Sequence, residues 1–172
     1  MDNIEIERKF KVKVLPDDLE QYECKIIEQV YLNTEPVIRV RKENDTYYFS
    51  YKSGAYPNTE EYNLPLDKAS YLHLKAKADG NVISKKRYVI PFSGVDLSGQ
   101  YGGDNNSNST SVSGLTIELD IFDPPFAPLV IAEVEFPDLE TAYRFIPPDW
   151  FGEEVTMDNE YRNSSMSRRV FD

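Results

Sequence analysis

The chain has 172 residues, of which 40% are hydrophobic, and its 30 acidic and 19 basic residues give a formal net charge of −11. That composition suffices for one folded domain spanning 1–172, whereas the acidic balance argues against general nucleic-acid binding, which requires a basic surface. The single cysteine, Cys24, excludes an internal disulfide. With no signal peptide and no apolar run near the roughly 20 residues of a membrane span, we expect a cytoplasmic protein without a membrane partner.

Eight segments alternate between apolar and polar residues, which is the two-residue period of a β-strand. The first, 4–14, carries Glu5, Glu7 and Lys9 on one face and mainly apolar side chains on the other. Because eight strands suffice to close a barrel, the pattern predicts an antiparallel β-barrel. The other seven segments are 29–32, 37–41, 47–52, 61–64, 85–90, 115–121 and 130–136.

Helices are few and are expected on the outside of the barrel. Acidic starts and early prolines are typical of helix N-termini, and they predict helices over 16–24, 67–78 and 139–145, with a weaker candidate at 158–170. Residues 98–114 are rich in Ser, Asn and Gly, a composition typical of a flexible hairpin loop.

The ionised side chains share one face in strand after strand. For any one strand, the simplest interpretation is a solvated sheet surface. Taken together, the repeated like-charged pairs exceed what solubility requires, and the apolar residues opposite them need a covering layer. An α+β fold, an eight-stranded barrel with a charged, water-filled tunnel and helices packed outside, satisfies both. The bases are Lys9, Arg39, Arg41, Lys52, Lys85 and Arg87, and the acids are Glu5, Glu7, Glu61, Glu118, Asp120, Glu133 and Glu135.

Such a tunnel suits the chemistry of phosphates and hard metal ions. Guanidinium and ammonium groups bind phosphate oxygens, and paired carboxylates bind Mg²⁺ or Mn²⁺ through oxygen. Six bases exceed what one phosphate needs and fit a chain of phosphates. The pattern therefore predicts a small triphosphate-containing partner and a divalent metal ion.

The spacing Glu5-x-Glu7-x-Lys9 resembles the ExExK signature of the CYTH domain, the triphosphate tunnel metalloenzyme family. The resemblance covers nearly the whole chain except 98–114, because the charged pairs follow in the family's order. The C-terminal part, with Trp150, Tyr161 and Asn163, is similar to that of small bacterial members. Asn63 departs from the pattern, because many members have a second acid there.

The resemblance implies roles for the charged residues. It implies metal ligands at Glu5, Glu7 and Glu135, then at Glu133, Asp120 and Glu61. It implies triphosphate binding by Lys9, Arg39, Arg41, Lys52, Lys85 and Arg87. A second metal ion, or the carboxylate of Glu118, Asp120 or Glu133, would orient the attacking water. Lys and Arg side chains, Lys52 among them, would stabilise the leaving phosphates. Lys9 either binds phosphate or, with its pKa lowered by neighbouring cations, acts as a base with Tyr31.

These residues favour a metal-dependent hydrolase of inorganic triphosphate. Three alternatives remain open: a thiamine triphosphatase, which needs an aromatic surface; a class IV-type adenylate cyclase, which needs an adenine pocket; and a non-catalytic polyphosphate-binding module. A homodimer also stays open.

Overall fold

The computed structural model describes residues 4–55, 58–93 and 113–171. Within these ranges the chain forms nine β-strands and three short α-helices. The strands are β1 (Ile4–Val12), β2 (Glu23–Thr34), β3 (Val37–Glu43), β4 (Thr46–Ala55), β5 (Asn58–Leu66), β6 (Ile83–Ser93), β7 (Ser113–Phe122), β8 (Val130–Phe136) and β9 (Phe151–Glu154). The helices are α1 (Lys68–Lys75), α2 (Leu139–Arg144) and α3 (Asn163–Met166). No helix in the described ranges is long and apolar enough to cross a membrane.

The strands form one antiparallel sheet that closes on itself. Their order is β5-β4-β3-β2-β6-β7-β8-β1-β9, and a further pairing of β5 with β1 joins the two sides. The edge of β1 is shared: Glu5 pairs with Thr59 of β5, and Phe10 pairs with Glu154 of β9. The predicted eight-stranded barrel is therefore confirmed, with β9 as an additional strand that the sequence pattern did not reveal.

An apolar layer outside the barrel holds α2 and β9 against β1. Phe10 of β1 packs on Phe145 and Phe151, with ring centroids 6.1 and 4.9 Å away. Arg8 lies on the same outer face and forms a bidentate ion pair with Glu154, in which its Nε and Nη2 donate at 2.9 and 2.7 Å. Its Nη1 also donates to the Ala142 carbonyl at 2.8 Å. A base on the apolar face of β1 thus ties the two outer elements to the barrel.

Helix α1 packs against the opposite side of the barrel. The Asp67 side chain caps it by accepting from the Ser70 amide at 2.7 Å. Its buried Tyr71 packs on Tyr47 and donates its hydroxyl to Glu28 of β2 at 2.7 Å. The predicted helices over 67–78 and 139–145 are confirmed as α1 and α2, each shorter than expected.

Apolar side chains fill part of the barrel interior. Ile83, Phe122 and Ile131 each lie two residues from a charged residue on the same strand, in β6, β7 and β8, so they share the inward face with those residues. They form one buried cluster with Tyr31, which Met166 of α3 joins. The barrel interior therefore holds an apolar cluster, covered by the C-terminal segment, in addition to the charged side chains that the sequence predicts.

Two further predictions differ from the structure. Residues 16–24 do not form a helix: only a 3-10 turn, Leu19–Gln21, follows Asp18, whose left-handed backbone (φ 54°) interrupts a helix. Cys24 lies in β2, exposed, because Glu23 onward pairs with β6. The candidate helix over 158–170 is reduced to the 3-10 turn Asn159–Tyr161 and α3. Of the predicted loop at 98–114, residues 98–112 lie outside the described residues, and 113 and 114 belong to β7.

Candidate active site

A charged cavity of about 420 Å³ lies inside the barrel. The strands supply its walls because alternate residues of each strand face inward. The sequence-predicted residues that line it are Glu5, Glu7, Lys9, Arg39, Arg41, Lys52, Glu61, Arg87, Glu118, Glu133 and Glu135. Fully buried Lys85 and Asp120 are not among the lining residues.

A wider cavity of about 830 Å³ adjoins the first one and is lined in part by the same residues, including Lys9 and Lys52. Tyr31 lines this outer cavity, as do Arg162 and Arg168 from the C-terminal segment. This second cavity therefore lies beside the segment that carries α3.

Strand register sets the charge pattern of the inner cavity. Glu7 of β1 lies opposite Glu135 of β8, and Glu118 of β7 lies opposite Glu133 of β8. Like charges directly opposite each other destabilise a sheet. The register therefore concentrates negative charge on one wall.

Lys9 lies opposite Glu133 and is held as a cation. Its Nζ is 3.0 Å from the Glu133 carboxylate and 3.2 Å from that of Glu7. Burial lowers the pKa of Lys9, but the two carboxylates outweigh burial and raise it above its ordinary value. The expected direction of the Lys9 pKa shift is therefore wrong, whereas a base role for Lys9 beside Tyr31 stays a prediction.

Arg87 connects the inner cavity to a buried layer beneath it. Its Nη2 donates to Glu133 at 2.7 Å, and its Nε and Nη2 donate to Asp120 at 2.6 and 2.7 Å. Lys85 forms an ion pair with the same Asp120 and lies 5.1 Å from the ring centre of Phe122. Lys85 and Asp120 thus separate the charged cavity from the apolar cluster, and they orient Arg87.

Arg39 and Arg41 form a positive wall together with Arg87. Arg39 Nη2 donates to Glu61 at 2.8 Å, whereas Arg41 Nε donates to the neutral amide of Gln29 at 3.0 Å. Burial, and then the charges of Arg39 and Arg87, lower the pKa of Arg41 to about 10. Arg39 and Arg87 have carboxylate partners, whereas Arg41 bonds to a neutral amide, so an anion bound beside Arg41 would relieve the repulsion.

The carboxylates of Glu5, Glu7 and Glu135 form the opposite, negative wall. Burial, and then the charge of Glu7, raise the pKa of Glu5 to about 7, even though Lys52 pairs with Glu5. Burial, and then Glu118 and Glu7, raise the pKa of Glu135. The positive charges nearby therefore do not offset the burial and mutual repulsion of these carboxylates.

The remaining predicted metal ligands are already neutralised by bases. Burial raises the pKa of Glu133, but Lys9 and Arg87 outweigh it and hold that pKa well below the ordinary range. Arg39 and Lys52 act in the same way on Glu61 and bring its pKa to about 2. Both carboxylates therefore act mainly as partners of the bases.

Mg²⁺ and Mn²⁺ prefer hard oxygen ligands, and the carboxylates of the negative wall supply such oxygens. Across 4–55, 58–93 and 113–171, no three acidic, histidine or cysteine side chains are grouped closely enough to hold an ion as they stand. Lysine ammonium groups lie between the carboxylates instead, with Lys52 paired to Glu5 and 3.8 Å from Glu7. The donor set fits a divalent cation that takes the place of an ammonium partner.

Comparison with known proteins identifies the family. No family model matches the sequence. The chain is 33% identical over 169 residues to an inorganic triphosphatase of Nitrosomonas europaea, an alignment that covers 96% of this chain and 98% of that protein. An inorganic triphosphatase of Acetivibrio thermocellus is 30% identical over 145 residues, which is 83% of this chain and 78% of the relative. The chain belongs to the triphosphate tunnel (CYTH) family.

A solved structure agrees with this assignment. The fold matches a crystal structure of an inorganic triphosphatase with a TM-score of 0.64 at 31% identity, covering 96% of this chain and 95% of that one. This triphosphate tunnel protein therefore shares both sequence and architecture with proteins of that name.

Sequence reasoning assigned no structural role to two neutral residues that bond to charged residues in the site of this tunnel protein. Fully buried Gln29 accepts from Arg41 and donates to the Tyr31 hydroxyl at 3.2 Å. Asn63 accepts from Ser50 at 2.5 Å and donates to Glu61 at 3.1 Å. Their signal in the sequence was a polar side chain on the inward face of a strand, which the charged pairs around them obscured.

Proposed function

We propose that this protein is a divalent-metal-dependent hydrolase of inorganic triphosphate. One observation carries the proposal: a single cavity is lined on one side by three arginines, of which Arg41 bonds to a neutral amide, and on the other by carboxylates that repel one another. A triphosphate bound with a metal ion satisfies both walls at once. The name of the Nitrosomonas europaea relative agrees with this substrate.

The substrate lies, in this proposal, along the basic wall. Arg39, Arg41 and Arg87 bind phosphate oxygens, since the planar guanidinium group matches their geometry. Lys9 and Lys52, both with pKa values raised by neighbouring carboxylates after the opposing effect of burial, stay protonated and stabilise charge on the departing phosphates.

The metal ion belongs to the acidic wall, held by Glu5, Glu7 and Glu135. Bound Mg²⁺ or Mn²⁺ supplies positive charge to the phosphate oxygens. An ion held there would give Glu5 and Glu7 a stronger counter-charge than the ammonium groups of Lys52 and Lys9, which would be free to contact the substrate.

Hydrolysis joins the oxygen of one water molecule to the terminal phosphorus and breaks the bridging P–O bond, whose electron pair leaves with pyrophosphate. One proton of the water stays on orthophosphate and the other goes to pyrophosphate. We assign the orientation of the water to Glu118, which lines the cavity, and the positioning of Arg87 to buried Asp120 and Lys85.

The alternatives differ in what they need beyond the triphosphate. A thiamine triphosphatase requires stacking surfaces, and Tyr31 is the one aromatic residue among those that line the two cavities in the described parts of the chain. An adenylate cyclase would release pyrophosphate and cyclic AMP. A polyphosphate-binding module has no need of an acidic wall, which weakens anion binding.

The test measures phosphate release from inorganic triphosphate, thiamine triphosphate and ATP, each with Mg²⁺, Mn²⁺ or EDTA. We expect metal-dependent release, fastest from inorganic triphosphate, and its loss in Glu7→Gln. Glu153→Gln is the matched control, because Glu153 is exposed and pairs with Lys11 outside the tunnel.

Other outcomes of this test would assign a different function to the site. Thiamine diphosphate or cyclic AMP as the main product would replace the proposal with the corresponding enzyme. Tight polyphosphate binding without turnover, unaffected by metal, would leave a binding module.

A further inference from the structure

Two buried polar atoms in the tunnel have no hydrogen-bond partner in the described part of the chain, Arg39 Nε and Asn163 Oδ1. Buried polar groups are nearly always paired, so each unpaired atom requires an explanation. Arg39 and Asn163 both line the inner cavity and the outer cavity. Both residues therefore lie at the junction of the inner and outer cavities.

The two atoms have opposite hydrogen-bonding character. Arg39 Nε is a donor, and a phosphate oxygen satisfies it, in keeping with the proposed substrate. Asn163 Oδ1 is an acceptor, and the fully ionised triphosphate has only acceptor oxygens to offer. Substrate binding alone therefore leaves Asn163 Oδ1 unsatisfied.

The two lysines that line both cavities are paired with carboxylates in this structure. Lys9 bonds to Glu7 and Glu133, and Lys52 bonds to Glu5. Hydrolysis itself requires a hydrogen-bond donor that the triphosphate does not supply, namely the attacking water molecule. A water that donates one hydrogen to Asn163 Oδ1 has its oxygen lone pairs turned away from the amide.

We propose that Asn163 is a catalytic residue whose amide oxygen orients the attacking water at the junction of the two cavities. This inference rests on the proposed triphosphatase activity and adds a residue from the C-terminal segment to a site otherwise built from barrel strands. Asn163 begins α3, whose Met166 is fully buried in the apolar cluster. The packing of Met166 therefore fixes where the amide lies.

The short helix that joins Asn163 to Met166 gives the Asn163 amide a rigid support. The Asn163 carbonyl accepts from the Ser167 amide at 2.9 Å, a backbone bond that side-chain substitution leaves in place. Substitution of the Asn163 side chain therefore changes the amide while the turn of α3 remains.

The experiment compares Asn163→Leu, which has similar volume and no acceptor, with Asn163→Asp, which keeps an acceptor oxygen. For inorganic triphosphate with Mg²⁺, we expect kcat of Asn163→Leu to fall about 10- to 100-fold with KM nearly unchanged, because a misplaced nucleophile slows the chemical step. Asn163→Asp should retain most of the wild-type kcat. The control is Glu160→Gln, an exposed change on the same segment that touches neither cavity.

Three results would overturn the inference. A raised KM with unchanged kcat would make the amide a phosphate ligand through its NH₂ group. Equal losses of kcat in Asn163→Leu and Asn163→Asp would show that the acceptor oxygen does not matter, and wild-type kinetics in both would remove Asn163 from the reaction. In every case the wild-type enzyme turns over, so these results are distinct from a failure of the triphosphatase proposal, in which the wild type is inactive.

Discussion

Glu7 and Glu135 lie directly opposite each other on β1 and β8, and both line the charged cavity. A sheet gains nothing from this pair, since like charges at facing positions destabilise the pairing of strands. The raised pKa of Glu135, which burial and then Glu118 and Glu7 cause, reports the same repulsion. The fold therefore retains a locally unfavourable feature where the proposed metal ion would bind, as functional sites commonly do.

Glu135→Gln should separate stability from activity. Removing one charge of the facing pair should raise Tm in EDTA by about 1–4 °C, since such pairs cost about 0.2–1 kcal/mol. Loss of a ligand oxygen should lower triphosphate turnover about 100-fold or more. Thermal unfolding with and without Mg²⁺ checks the first point, and phosphate release checks the second.

The Mg²⁺-dependent rise in Tm should also shrink in Glu135→Gln, because an ion that binds only the folded state stabilises it by mass action. Glu153→Gln, an exposed change outside the tunnel, should keep the wild-type response. A variant that is both less stable and fully active would contradict the metal assignment.

Lys85 is predicted to act on stability rather than on substrate affinity. Lys85→Met leaves fully buried Asp120 without one of its two cationic partners, and breaking a buried ion pair costs about 3–5 kcal/mol. KM for triphosphate should stay nearly unchanged, because Lys85 does not line the cavity. Urea unfolding and steady-state kinetics measure the two effects.

The comparison variant is Lys11→Met, whose exposed ion pair with Glu153 is worth less than about 1 kcal/mol. A large rise in KM for Lys85→Met with unchanged stability would place Lys85 at the substrate, as the family resemblance implied.

Which side chains face the tunnel could be predicted from the sequence, because alternation along a strand decides the face by itself. How deep each residue lies could not. Ile83 and Phe122 share the inward face with Lys85 and Asp120, yet they belong to the apolar cluster that the C-terminal segment covers. Depth depends on strand register and on which distant segment closes the barrel, and a single sequence specifies neither.

The direction of the Lys9 pKa shift could not be predicted from the sequence, for a related reason. Counting charges along the chain surrounds Lys9 with other cations, whereas the register places Glu133 opposite it and the Glu7 carboxylate 3.2 Å away. An ionisable group responds to neighbours in space, so the direction of its pKa shift follows from pairing between strands.

The packing of α1 on β2 should make stability depend on acidic pH. Burial raises the pKa of Glu28, but bonds from Lys75 (2.6 Å) and Tyr71 (2.7 Å) outweigh it and hold that pKa below its ordinary 4.5. The folded state therefore binds the proton more weakly than the unfolded state. Its stabilisation is complete above pH 4.5 and is lost as pH falls through the lower, folded-state pKa.

Because Glu28 is about a third exposed, the effect should be about 0.5 kcal/mol. Tm of Glu28→Gln, relative to the wild type, should be lower at pH 7 and should converge with it near pH 3. Glu140→Gln, which alters an exposed pair with Arg144, provides the control. A difference that stayed constant with pH would mean that Glu28 acts through packing alone.

The arginine wall should bind polyanions even without metal. Arg41 has its pKa lowered to about 10 by burial and by Arg39 and Arg87, so an anion beside it relieves repulsion that the folded protein otherwise bears. Inorganic triphosphate in EDTA should therefore raise Tm, by an amount that corresponds to about 2.7 kcal/mol at 100 times Kd. Arg41→Gln should lose most of that rise and, with one repelling charge removed, unfold at a higher temperature than the wild type when no anion is present. Arg144→Gln on the surface of α2 should behave as the wild type, and an undiminished response in Arg41→Gln would show that triphosphate binds elsewhere.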